Sequence, residues 1–235
     1  MTSYPDSSKI LVALDCIIFG FDGKELKLLL IKRNFEPEKG KWSLMGGFLG
    51  QEENLQDGAH RILRELTGLD NIYVEQLAVY GEVNRDPVAR TLSVVYFALI
   101  NIADHDAEAV KQHNASWVNL TGRPSLIFDH NKMVDQAIEH LRYKAALHPI
   151  GFELLPEQFT IPQLQKLYEV IYGTAIDRRN FSRKLLSTGL LIDTGLKDSY
   201  SATKKASLYR LDIDKYKAKF NAFWNFMPES KEVSG

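Results

Sequence analysis

The chain opens with apolar runs of strand length. "ILVALDCIIFGF" (10–21) and "ELKLLLIKR" (25–33) are rich in Val, Ile, Leu and Phe, and Asp22-Gly23 between them predicts a hairpin turn. "NFEPEKGKW", broken by Pro37 and Gly40, predicts a loop. "IYVEQLAVYGEV" and "TLSVVYFALINI" predict strands on either side of the polar loop "NRDPVAR", and "ASWVNL" predicts one more. With one helix between residues 47 and 69, the strands predict a mixed sheet packed against helices, an α/β (α+β) domain.

The period then changes. Met133, Ala137, Ile138, Leu141 and Ala145 recur at helical spacing, so 131–147 is predicted as an amphipathic helix. "HPIGFELLPEQFT", with Pro149, Gly151 and Pro156, predicts a boundary that divides the chain into domains at 1–148 and 149–235. Beyond it Ile161, Leu164, Leu167, Tyr168 and Ile171 share a helical face, with Thr160 as N-cap, Pro162 in the first turn and Gly173 at the end. "DRRNFSRKLLSTG" predicts a second helix, capped by Asp177 and ended by Gly189, with Phe181, Leu185 and Leu186 turned inward. Two short strands, "LLI" and "SLYRL", flank the polar loop "DTGLKDSYSATKKA". Helix, turn, helix, hairpin is the order of a winged helix-turn-helix. Ile213, Tyr216, Phe220, Phe223, Trp224 and Met227 predict a last helix that packs on its own domain or on a second copy of the chain.

At 235 residues, 45% apolar and 25% charged, the composition is that of a globular protein with room for two modest domains. No apolar run reaches the roughly 18 residues of a membrane span, and "MTSYPDSSKI" lacks the basic and apolar regions of a signal peptide. The expected location is therefore the cytoplasm, with no membrane partner. The single cysteine, Cys16, has neither a disulfide partner nor a CxxC mate, and its setting predicts a small buried hydrophobe.

Charge changes the picture further, because the net −1 conceals an asymmetry. From 175 to 210 eight bases face three acids, a local +5 that leaves −6 for the rest. A basic block on an acidic chain predicts a module for an anionic partner, foremost a double-stranded DNA operator. Arg178 and Arg179 follow the capping Asp177, where a cation opposes the helix dipole at a cost of about 0.3–1 kcal/mol each. A recognition helix offsets that cost with phosphates and guanines in the major groove. The expected DNA contacts are Arg178, Arg179, Asn180, Ser182, Arg183 and Lys184 on this helix, and Lys197, Tyr200, Lys204 and Lys205 on the wing.

The stretch "GFLGQEENLQDGAHRILRELTGL" (47–69) carries the remaining chemistry. Gly47, Glu53, Arg61, Leu63, Glu65, Gly68 and Leu69 fit the spacing Gly, five residues, Glu, seven residues, Arg-Glu-apolar-any-Glu-Glu-any-Gly-apolar. This resembles the Nudix signature and implies a Nudix-like fold. In such a motif carboxylates at i, i+3 and i+4 share one helix face and hold Mg²⁺ or Mn²⁺. Here those positions are Ile62, Glu65 and Leu66. Two hydrocarbon side chains can neither hold a hard cation nor activate water, so no catalytic residue, metal or cofactor is expected. An active pyrophosphohydrolase, with Glu52 and Glu53 recruiting a metal from the loop, is the alternative. Arg61 and Glu65 predict an i, i+4 ion pair, Glu53 a partner of the helix dipole or of a ligand, and Gly46-Gly47 a tight turn. The pocket that such a shell encloses has Arg33, Trp42, Phe48, Glu53, Arg85, Asp86 and Arg90 as its expected effector contacts.

With the basic module added, the chain resembles the Nudix-related transcriptional regulators, in which a Nudix-like domain senses a small molecule and a C-terminal winged helix binds an operator. Residues 142–191 and "SLYRL" carry this second resemblance, and the two together span roughly residues 10–212. The resemblance implies a homodimer on a palindromic site. One branch senses ADP-ribose and controls NAD metabolism; another, similar to the arabinose regulators, senses a pentose and controls sugar-use genes. The departures at Ile62 and Leu66 speak against nucleotide and metal binding, so the expected effector is a pentose such as L-arabinose, with carbohydrate metabolism as the regulated process and ADP-ribose as the alternative.

Overall fold

The computed structural model describes residues 9–70, 72–105, 107–147, 154–198 and 206–224. A seven-stranded mixed sheet organises the first part. Its central strand β1 (Leu11–Phe21) runs parallel to β6 (Thr91–Asn101) from Leu11 opposite Thr91 to Phe21 opposite Asn101. The edge strand β5 (Glu75–Tyr80) pairs antiparallel with β6. Along its other edge β1 changes partner: β4 (Met45–Phe48) covers Ala13–Cys16, and β2 (Leu26–Lys32) covers Phe19–Phe21. β2 continues the sheet to β3 (Trp42–Ser43) and β7 (Ala115–Asn119). This change of partner forks the sheet beside Asp15.

Strand alternation builds a core on each face of the sheet. Ile17, Phe19 and Phe21 pack toward α3 (His130–Leu147), whereas Leu14, Cys16 and Ile18 pack toward α1 (Leu55–Thr67) and α2 (Ala107–Gln112). Cys16 is fully buried, as its setting predicts, and burial pushes its thiol pKa well up. The short strands β3 and β4 and the helix α2 have no counterpart in the sequence pattern, being too brief to show a period. Gly46 and Gly47 are residues of β4, which corrects the expected tight turn. A Cβ at Gly46 would fall on Asp15 Oδ1, and one at Gly47 would lie 3.1 Å from Ile62 Cδ1. Close approach by a neighbour, rather than backbone angle, requires glycine at Gly46, and at Gly47 a Cβ would fit only if the Ile62 side chain gave way slightly.

The second part comprises α4 (Ile161–Tyr172), α5 (Arg178–Ser187), the hairpin β8 (Leu191–Lys197) and β9 (Ser207–Leu211), and α6 (Ile213–Trp224). Thr160 and Gln163 form a reciprocal capping box at the start of α4, Gln163 N donating to Thr160 Oγ1 and Thr160 N to Gln163 Oε1. Phe159 and Tyr209 exchange backbone hydrogen bonds of 3.0 and 2.8 Å, which adds a third segment to the wing. β8 extends to Lys197, so the first five residues of the expected loop are strand, because its backbone pairs with β9. Leu186 is turned outward, 47% exposed, contrary to expectation. Phe181 and Leu185, four residues apart, take the packed face, and the next position lies about 100° round the helix. Met227 and the side chains of Phe220, Phe223 and Trp224 lie outside the described residues, as does the expected boundary at 148.

The core between the sheet and α3 continues through Leu154, Leu155 and Phe159 into Leu164, Leu167 and Ile171 of α4. The two parts therefore share one apolar interior. Among the described residues no helix is long and apolar enough to cross a membrane.

Candidate functional site

The fork in the sheet leaves a cleft. Ala13 and Asp15 form its floor, Gly46, Gly47 and Phe48 one wall, Arg33 and Phe35 another, and Arg85, Asp86, Phe128 and His130 the far side. A carboxylate buried in an apolar strand needs compensation. Asp15 accepts a 2.5 Å hydrogen bond from Ser93 Oγ and lies 3.8 Å from Arg85 Nη2 and 3.6 Å from His130 Nε2. Leu44 N donates to His130 Nδ1 at 3.2 Å, so the ring proton of a neutral His130 sits on Nε2, facing Asp15. Burial lowers the pKa of His130 and so favours that neutral ring. Arg85 makes the strongest tie, a bidentate pair from Nε and Nη2 to Asp129 at 3.0 and 2.8 Å.

Arg33 is placed differently. Its guanidinium lies 3.8 Å from the Phe35 ring centre and 5.6 Å from that of Phe128, and its Nε donates to Phe35 O at 3.1 Å. No carboxylate among the described residues lies within ion-pair distance of it, and burial lowers its pKa. A part-buried guanidinium set against aromatic rings, with no carboxylate across its Nη edge, can fork onto two oxygens of a phosphate. Phe35 and Phe48, each about half exposed, add apolar surface at the mouth.

Of the expected effector residues, Arg33, Phe48, Arg85 and Asp86 line this cleft. Trp42 does not: it lies under Lys32 Nζ at 5.2 Å, because strand alternation in β3 turns it toward a neighbouring depression shared with Arg33, Glu65 and Leu66. Arg90 bonds to the carbonyls of Glu82 and Thr91 and ties together the ends of the 82–91 loop. Glu53 turns to Arg61, with contacts of 2.9 and 2.6 Å, and accepts from Gly50 N at 2.6 Å. These bonds hold its carboxyl down at about 2. It ties a loop to α1, whose N-cap is Asn54. Asp15, Ser43, Phe128 and His130 are cleft residues without any local sequence signal except Asp15, a lone carboxylate in an apolar run.

The divalent cation that the signature implies does not fit the residues present. Ile62 is 2% exposed and packs against Gly47, and Leu66 packs against the same core. Glu65 pairs with Arg61 at 3.2 Å, the expected i, i+4 contact. Among the described residues no group of three His, Cys, Asp or Glu side chains is placed to hold a metal ion.

The basic helix forms as its caps predict, Asn180 N donating to Asp177 Oδ1 at 2.8 Å. Arg178, Arg179, Asn180, Arg183 and Lys184 are exposed and Ser182 is half-buried. Arg183 donates to Asn180 Oδ1 at 2.8 Å, and Lys197 donates to Ser207 Oγ across the wing at 2.7 Å. Tyr200, Lys204 and Lys205 lie outside the described residues.

A family model described as the NUDIX domain matches residues 9–135, and one described as the NrtR DNA-binding winged helix domain matches residues 151–211. The chain is 35% identical over 214 residues to the ADPR responsive transcriptional repressor NtrR of Acinetobacter baylyi, covering 89% of this chain and 85% of the relative. Shewanella oneidensis NrtR, solved in complex with a 27mer DNA, superposes with a TM-score of 0.73 at 32% identity, covering 88% of this chain and 95% of that one. The NUDIX domain of the same Shewanella protein, solved with ADP ribose, superposes with a TM-score of 0.52 at 30% identity, covering 59% of this chain and 94% of that one.

Proposed function

The chain belongs to the Nudix family and carries an NrtR-type DNA-binding winged helix, and from that premise we propose that it is a transcriptional repressor whose cleft binds ADP-ribose. The expectation of a pentose effector is overturned. The relative that matches most of the chain is an ADPR responsive repressor, and the Shewanella NUDIX domain was solved with ADP ribose. The error lay in treating loss of the metal carboxylates as loss of nucleotide binding. Ile62 and Leu66 remove a cation, but an arginine in the cleft can meet a diphosphate without one.

Arg33 is the observation that carries this reading. A neutral pentose offers the Arg33 guanidinium only uncharged hydroxyl acceptors, whereas a diphosphate adds the opposite charge and paired oxygens, and the rings of Phe35, Phe48 and Phe128 suit an adenine or the face of a ribose. The apolar packing of Ile62 and Leu66, and the capture of Glu53 and Glu65 by Arg61, support a sensor that binds ADP-ribose without cleaving it. The working unit is then a cytoplasmic homodimer that presents two α5 helices to half-sites about one helical turn apart, at genes of NAD metabolism.

Calorimetric titration with ADP-ribose tests the cleft. Binding is expected to persist in EDTA, and Arg33→Ala is expected to weaken it by about 10- to 150-fold, the loss of a charged hydrogen-bonding partner worth about 1.5–3 kcal/mol. An absolute requirement for Mg²⁺, or cleavage of ADP-ribose that disappears in Glu65→Gln, would sink the sensor reading.

A further inference from the structure

Arg85 is at once a wall of the cleft and the clamp on the start of α3. Its side chain is buried and forks onto Asp129, the residue before that helix, while His130, the first helical residue, is held by Leu44 N. The helix then runs 18 residues, about 27 Å at 1.5 Å per residue, through the shared core. About two-thirds of the way along it, Arg142 Nε donates to Ile171 O at 2.9 Å and Tyr172 OH donates to Arg142 O at 3.1 Å. Ile171 O is among the last carbonyls of α4, which have no partner within the helix, so Arg142 caps α4 from α3. The turn from α4 into α5 is fixed in its own right: Gln165 Nε2 donates to Ile176 O at 2.9 Å and Ile176 N to Glu169 Oε1 at 3.1 Å. A movement of the end of α4 therefore carries the start of α5 with it.

We propose that α3 is the signal rod of this protein, with Arg85 releasing its cleft end when a diphosphate binds and Arg142 passing the movement to α4 and the recognition helix. The proposal rests on the ADP-ribose reading above. Arg85 stays within 3.8 Å of Asp15, but its fork can be filled in two ways, by Asp129 as it stands or by a phosphate in the cleft that it shares with Arg33. Exchange between them frees or holds Asp129. Because the interior around α3 is close-packed, a shift at its start repacks its far contacts.

The test is a linkage experiment on the full chain: affinity for ADP-ribose by calorimetry, and affinity for a duplex from upstream of its own gene by fluorescence anisotropy, with and without ADP-ribose. Wild type is expected to change its DNA affinity by a factor within the usual range of about 5 to 150. Arg142→Ala is expected to bind each ligand alone within about 3-fold of wild type while that factor falls below about 2, an uncoupling that simple loss of stability does not produce. An undiminished factor overturns the route. If Arg142→Ala loses DNA binding outright, Tyr172→Phe, which keeps its ring, decides: a reduced factor supports the route and an unchanged one overturns it. At the other end Asp129→Asn, by weakening the competing tie, is expected to tighten ADP-ribose binding, and unchanged or weaker binding removes Arg85 from the path. A wild type that binds no ADP-ribose refutes the functional reading itself, whereas one that binds and responds, with variants that respond equally, refutes only the rod.

Discussion

Asp15 sits in the middle of "LVALDCIIFGF", where a charge is out of place, and that anomaly is the only trace of the cleft floor legible in the sequence. Its partners Ser93, Arg85 and His130 come from three distant segments, which only the parallel pairing of β1 with β6 and the placement of α3 bring together. His130 gives this arrangement a pH dependence. Its pKa is lowered by burial, so below about pH 6.5 the unfolded chain takes up a proton that the folded chain resists. The stability due to the neutral buried ring is thus complete above about pH 6.5 and is lost as pH falls from there toward the folded-state pKa. Urea unfolding between about pH 7.5 and 5 should show a decline that flattens in His130→Gln. An identical slope in the two proteins would mean that other groups set the acid limit.

Elements with a period and a cap were legible, and those without were not. α4 and α5 form where Thr160 and Asp177 predict, because their caps and apolar faces are local properties. β3, β4 and α2 escaped, since two to six residues show no period and the pairing partners that create them lie elsewhere in the chain. Leu186 shows the limit of a one-sided count: an apolar residue next to a packed face need not be part of it. The cationic first turn of α5 supplies a direct prediction. Arg178 and Arg179 are exposed and have no carboxylate partner among the described residues, so they are free for phosphates or guanines. Arg179→Ala should weaken operator binding by about 1–3 kcal/mol if it reads a guanine. If it meets a phosphate, the variant should lower the slope of log affinity against log salt by about one unit. ADP-ribose binding should be unaffected. Anisotropy across a salt series separates these outcomes, and a variant that matches wild type at every salt concentration would move the recognition surface off this turn.

At the scale of the whole molecule, the pairing of a Nudix shell with a basic winged helix was readable from motif spacing and a local charge excess. The effector was not. Its class depends on whether an arginine in the cleft is already paired, and the positions of Arg33, Phe35 and Phe128 relative to one another follow from loops that carry no pattern. Prolines and glycines between 149 and 156 predict a joint between two domains, and that pattern gives no sign that one core runs from β1 through α3 into α4. That continuity is the physical basis of the proposed coupling between the cleft and the recognition helix. The most direct test is anisotropy of a labelled duplex from upstream of the gene, at physiological salt, titrated with ADP-ribose and, in parallel, with L-arabinose. Specific binding that changes at least about 5-fold with ADP-ribose and not with arabinose is the predicted result. Binding that is absent at this salt, or indifferent to ADP-ribose, would contradict the account.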